Sequence, residues 1–452
     1  MKRRPQNMRE WSARARAPET RAATPAGTTL IRGARVLDPG SGVDETADVL
    51  VDAGRIAAIG AALDAPPQAQ TLDARGCWLM PGLVDLCARL REPGATHKAS
   101  FASEIPAAFA GGITQVLLPP DTQPVLDTPA MLIRVQRLAR QAGALDVRLL
   151  GALTRELRGE ALAELSALKA AGAVGASNAW SPIDDSRIAR RALEYAKGLD
   201  LTVHVYAQDH GLAGSGCAHE GPVATRLGLA AVPAAAEVAA LRFWISLVED
   251  TGARVHFCRL STARGAELID AALSRDLPVS ADVAAHQLHL CDTDVDGFNA
   301  QCHVQPPLRT DADRVALREA VRSGVIAAVC SDHQPHEADA KVNPFPLTEP
   351  GISALETLLP LTLALVHDGL LSPLQAAERL CHGPARIAGL EGGHIGIGSP
   401  ADLAVVEPDT VWTLRAAQLL SAGRNTPFDG RRLRGRVRAT FRGGLRVHGG
   451  AS

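Results

Sequence analysis

The 452-residue chain is 46% hydrophobic and nearly neutral, with 47 Lys and Arg against 49 Asp and Glu and a formal net charge of -2. That balance gives no electrostatic footing for nucleic acid or an anionic membrane surface as a partner, and no apolar run approaches the roughly 20 residues of a spanning helix. Length and apolar content suffice for a large core, which predicts one large domain and a smaller satellite. The eight cysteines lie scattered with no C-x-x-C pair, the usage of reduced thiols in a cytosolic protein.

In chain order, residues 1–27 stand apart. They carry one Lys and six Arg against two Glu and no periodic apolar pattern, the composition of a disordered basic extension. From Thr28 the pattern turns to short alternating strands with turn signals, in TTLIRGARVLDPGSG, ADVLVDAGRIAAIG and TLDARGCWLM. A matching set returns at the far end, in GIGSPADLAVVEP, TVWTL and RGRVRATFRGGLRVHGG. The two ends predict one small β-sandwich domain assembled from 28–80 and 386–452, around a central unit spanning 81–385. In that unit short apolar runs alternate with helical patterns. The predicted strands are Leu83 to Cys87, Ile113 to Leu118, Val147 to Ala152, Ala173 to Ser177, Leu201 to Tyr206, Arg254 to Cys258, Pro278 to Asp282 and Val325 to Ser331. Eight strands with intervening helices fit a (β/α)8 barrel, whose chemistry is built at the C-terminal strand ends.

The first strand end lies in PGLVDLCARLREPG, Pro81 to Gly94. It resembles, without a gap, the dihydroorotase family's D-x-H-x-H-x-R-x-P-G. Asp85, Arg91, Pro93 and Gly94 match, while Cys87 and Arg89 stand where the family has two metal-ligating histidines. LLPPDTQPVLDTP resembles M-P-N-T-x-P-x-x-D-T-P, with Asp121 at the place of a substrate-holding Asn. A carboxylate there repels an acidic substrate. GAVGASNAW puts Asn178 at a ligating Asp, and in LTVHVYAQDHGL a ligand histidine becomes Tyr206 and a Glu becomes Gln208. His204 lies one pleat repeat earlier, about 7 Å deeper, and reads as a buried, hydrogen-bonded histidine. RVHFCRLSTARGAELI resembles H-x-x-H-x-S-T-A, with His256 kept and Arg259 for the ligand histidine. SADVAAHQLHL keeps His286, and QPPLR has Gln305 for Asn. The eighth strand alone, VIAAVCSDHQPHEADAKVNPF, follows the family closely, with Asp332 matching the catalytic base and metal ligand and His336 a substrate contact.

The resemblance runs from about Thr28 to Gly450 and includes GPARIAGL, GIGSPADLAVVE and NTPFDG. It implies the TIM-type barrel of the amidohydrolase superfamily with its small β-sandwich. The family's ligand places read Cys87, Arg89, Asn178, Tyr206, Arg259 and Asp332, and only the last is unchanged. Catalytic zinc takes about three protein ligands and leaves a position for water, whereas a guanidinium stays protonated and offers donors only. One such charge about 4 Å from a divalent ion costs a gross ~8 kcal/mol at an effective dielectric near ~20. The expectation is therefore no zinc in the family's place and no catalytic residue beyond the base identity of Asp332. Arg89 or Arg259 is expected to pair with Asp332 instead, and Arg91 and His336 to remain as a vestigial carboxylate-binding pair.

Within the family, this pattern resembles the noncatalytic dihydroorotase-like chain that assembles with the aspartate carbamoyltransferase catalytic chain in some bacteria. That implies a cytoplasmic scaffold subunit of pyrimidine synthesis, a homo-oligomer within its complex. The alternatives are a metal-dependent dihydroorotase or other cyclic-amide hydrolase with a rebuilt site, with zinc as its cofactor, and a small-molecule sensor using Arg91 and His336.

Overall fold

The computed structural model describes residues 27–449; apart from Gly27, the expected basic extension lies outside them. The chain opens with β1 (Thr29–Asp38), β2 (Val43–Asp52), β3 (Arg55–Gly60), β4 (Gln70–Asp73) and β5 (Trp78–Pro81). The barrel strands follow as β6 (Leu83–Asp85), β7 (Ile113–Leu118), β8 (Asp146–Ala152), β9 (Ala173–Ser177) and β10 (Thr202–Val205). A short parallel pair, β11 (Ala218–His219) and β12 (Ala231–Val232), interrupts them. The barrel then resumes with β13 (Val255–Phe257), β14 (Val279–Ala284) and β15 (Ala328–Cys330), and the chain returns through β16 (Leu403–Thr413), β17 (Arg432–Arg442) and β18 (Leu445–His448).

The strands of the two chain ends form one mixed sheet in the order β18-β17-β16-β5-β1-β2-β3, with β4 against β1. Its joint is β5, parallel to β1 and antiparallel to β16. Period-2 alternation sets the two faces of that joint. Cys77, Leu79, Leu403 and Val405 pack into the satellite core with Ile31, Val49 and Phe441, while Trp78, Met80, Ala404 and Val406 join the main core against the barrel.

Strands β6 to β15, without the short pair, run parallel in sequential order. The ring closes where Ala88 bridges His333, through Arg89 N–H to the His333 carbonyl (2.9 Å) and His333 N–H to the Cys87 carbonyl (3.2 Å). Asp85 staples this seam. Its carboxylate accepts the Ser331 N–H (2.9 Å) and hydroxyl and the Cys87 N–H (3.3 Å), and burial pushes its pKa up to about 7. Val203, Val205, Val255 and Phe257 point out to the surrounding helices. The alternate positions face a narrow interior core of Leu86, Leu117, Leu150, Ala284 and Cys330. All eight barrel strands fall within the predicted runs to a few residues. Among the described residues, no helix is long and apolar enough to cross a membrane.

Candidate functional site

At the C-terminal ends of β13 and β15 the backbone turns left-handed, at Arg259 (φ 56°) and Asp332 (φ 47°), with Ala179 (φ 48°) doing the same after β9. Such conformations cost non-glycine residues about 1–3 kcal/mol and concentrate where a side chain must be aimed. Here they aim at one point. Arg259 Nη1 donates to Asp332 Oδ1 at 3.1 Å and Arg89 Nη1 to the same oxygen at 3.5 Å. Cys87 Sγ lies 3.5 Å from that oxygen and 3.0 Å from Arg259 Nη1, and Gln334 Nε2 donates to Asp332 Oδ2 at 3.3 Å. Asp332 is 1% exposed, Arg259 3% and Arg89 5%, so water does not screen this cluster.

Aromatic rings cap it. The Arg259 guanidinium lies 4.0 Å from the Trp180 ring centroid and 4.9 Å from that of Tyr206, and Arg89 lies 4.6 Å from Trp180. The two rings meet edge to face at 4.6 Å. Burial works against the charge on Arg259, but Cys87 and Asp332 outweigh it and its pKa moves further up. For Arg89 the same opposition is overcome first by Asp121, whose Oδ2 accepts from Nε at 2.8 Å. Asp121, expected to repel an acidic substrate, therefore has its charge engaged by Arg89. Burial drives the Cys87 thiol up to about 12, which keeps it protonated.

Arg91 and His336 do meet: Arg91 Nη2 lies 3.1 Å from His336 Nε2, and Lys98 Nζ lies 3.0 Å from Nδ1. Burial and these two cations hold His336 down to about 2. Arg91, Lys98, Arg89 and Asp121 line a cavity of about 440 Å3 beside the cluster. Asn178 turns away from Asp332. Its Oδ1 accepts from Thr154 Oγ1 (2.6 Å) and its Nδ2 donates to the Ser181 carbonyl (3.0 Å), which spends the amide on its own loop. Tyr206 donates to Gln208 Oε1 at 2.8 Å.

His256 is buried between Ser280 Oγ (2.9 Å) and Asp282 Oδ2 (3.0 Å). His204 is buried as expected, but the expected hydrogen bond is absent: neither ring nitrogen has a partner. The register explains this, since β9 and β13 present Ser177 and His256 opposite it and neither bonds to it. Both nitrogens of His286 are also buried without partners.

The donor set does not fit the family's zinc. Two of its six places are guanidiniums whose N–H groups converge on the one carboxylate and the one thiol that could ligate, and the Asn and Tyr places are occupied by their own hydrogen bonds. No step is derived through that metal. Several parts of the site carried no sequence signal of their role. Trp180 lies two residues beyond Asn178 with no assigned place, Lys98 lies outside the motifs, and Gln334 falls between Asp332 and His336.

A family model described as dihydro-orotase-like matches residues 76–265. A dihydroorotase-like protein of Pseudomonas aeruginosa is 50% identical over 94% of this chain and 100% of its own length, and one from Pseudomonas putida 48% over 93% and 99%. The chain belongs to the dihydroorotase family. A dihydroorotase of Anaeromyxobacter dehalogenans is 42% identical over 93% of the chain and 97% of its own length. Among solved structures, the L-hydantoinase of Arthrobacter aurescens superposes with a TM-score of 0.85 at 24% identity over 94% of this chain and 96% of its own, a likeness that bears on the barrel fold alone. The likeness to proteins of the dihydroorotase family thus spans more than nine tenths of the chain.

Proposed function

We propose that this dihydroorotase-like chain is a noncatalytic scaffold that assembles, itself as a homo-oligomer, with the catalytic chain of a cytoplasmic aspartate carbamoyltransferase in pyrimidine synthesis. The observation that carries the noncatalytic half is the pairing of Arg89 and Arg259 with Asp332 at the barrel mouth. Two buried guanidiniums already occupy the Asp332 oxygen that a general base would turn toward a substrate. The end-to-end similarity to proteins named dihydroorotase-like supports the reading, and the scaffold role itself rests on the resemblance set out from the sequence.

The relatives named dihydroorotase keep a second reading open, an enzyme with a rebuilt site. The isolated chain, supplied with zinc and carbamoyl aspartate at mildly acidic pH or dihydroorotate at alkaline pH, is expected to give no turnover above a Cys87→Ser/Asp332→Asn double-variant control. Zinc-dependent turnover abolished in that control would sink the noncatalytic reading.

A further inference from the structure

Deeper in the barrel than the arginine cluster lies a second group of metal-type ligands. His204 on β10 and His256 and Cys258 on and just after β13 each bring a ligand atom within 4.8 Å of the others. The strands are neighbours in register, His204 opposite His256, and the two rings sit edge to face at 5.1 Å. His204 is 1% exposed with both ring nitrogens unpartnered. An imidazole buried in that state leaves a donor and an acceptor unmet, and a bound ion would engage the acceptor nitrogen. His256 is oriented from behind by Asp282 through Nε2 at 3.0 Å, the carboxylate–histidine arrangement that commonly supports a metal-bound ring. Its Nδ1 has only the Ser280 hydroxyl to release. Cys258 is partly exposed, and its Sγ donates one long hydrogen bond, to the His256 carbonyl at 3.9 Å.

We propose that His204, His256 and Cys258 form a site for one thiophilic transition-metal ion, zinc(II) or copper(I), separate from the family's ligand places. Two imidazoles and a thiolate are the donors such ions select. Ligand atoms sharing one ion lie roughly 3.3–3.8 Å apart for bonds of about 2.0–2.3 Å, so side-chain rotation within the barrel closes the set. The Cys258 thiol gives its proton to solvent as the sulfur–metal bond forms, so binding strengthens as pH rises. The ion ties β10 to β13 inside a barrel whose rim is held by arginine–carboxylate pairs. The inference does not depend on the scaffold reading.

The test uses the full-length, untagged protein. Elemental analysis after purification without chelator, followed by titration with cobalt(II) and with copper(I), is expected to show about one equivalent per chain. A thiolate-to-cobalt charge-transfer band should appear, be lost in Cys258→Ser and in His204→Gln, and persist in Cys87→Ser. The metal found after purification distinguishes zinc from copper. Saturating cobalt and copper with neither binding nor band, or a band lost in Cys87→Ser but kept in Cys258→Ser, would overturn the proposal. X-ray absorption of the loaded wild-type protein is independent of how the variants fold. One sulfur at about 2.3 Å with imidazole scattering is expected, and a shell of nitrogen and oxygen alone refutes the site.

Discussion

Asp332 stands at the centre of the arginine cluster, and its surroundings fix what it can do. With two guanidiniums and a thiol around one carboxylate oxygen, removing the carboxylate strands the buried Arg259 and leaves Arg89 with Asp121 alone. Asp332→Asn should therefore cost about 3–5 kcal/mol in urea unfolding, the scale of breaking a buried pair. A loss under 1 kcal/mol would mean that the pairs do not organise the barrel mouth.

Acidification acts through other residues. Burial lowers His204 to about 3, His286, His289 and His303 to about 4 and His336 to about 2. The unfolded chain takes up these protons near pH ~6.5 and the folded chain does not. Their stabilising contribution is thus complete above about pH 6.5 and lost as pH falls toward the folded values. Asp85 and Glu356, both raised to about 7 by burial, act in the opposite sense, since what they contribute is lost as pH rises toward 7. His286→Gln should make the fall in urea midpoint between about pH 6.5 and 4 shallower than in the wild type. An unchanged slope would show that His286 does not stay neutral in the fold.

The pairing of Asp332 with arginine was legible in the sequence because a buried carboxylate needs a counter-charge wherever two cations replace metal ligands. The role of Asp121 was not, because its place in the motif pointed to a substrate and not to Arg89.

At the scale of elements, barrel strands and register were legible because Ser-Thr-Ala after β13 and Asp-His after β15 pin the strand ends while the alternating interior fixes the pleat. The same Ser-Thr-Ala stretch shows what local patterns omit. Glu237, in the helix Ala234–Thr251, accepts the N–H and hydroxyl of both Ser261 (2.9 and 2.6 Å) and Thr262 (3.0 and 2.6 Å). Thr262 in turn caps the helix Ala263–Leu273. A Glu on a helix reads as solvent-facing until the fold is known. Glu237→Gln replaces an acceptor oxygen with a donor facing donors and should lower stability by about 2–3 kcal/mol, read as a shifted urea midpoint with unchanged slope. A neutral effect would make this junction dispensable. Trp180 is the second element-level surprise, a loop residue after β9 lying over both site arginines. Trp180→Ala should destabilise by about 1–3 kcal/mol, since two cation–π contacts and the ring's burial are lost together. No change in the unfolding midpoint would show that the ring merely rests on the cluster.

For the whole molecule, one mixed sheet drawn from both chain ends clamps the barrel, with β5 carrying the chain from the satellite into the first barrel strand. The direct test is co-expression with the aspartate carbamoyltransferase catalytic chain of the same organism, then size-exclusion with light scattering and assays of both activities across the peak. The account predicts one large complex that carries carbamoyltransferase activity, lost or diminished when this chain is omitted, with no dihydroorotase activity in the peak. Two separate species, with dihydroorotate turnover in the peak of this chain, would contradict it.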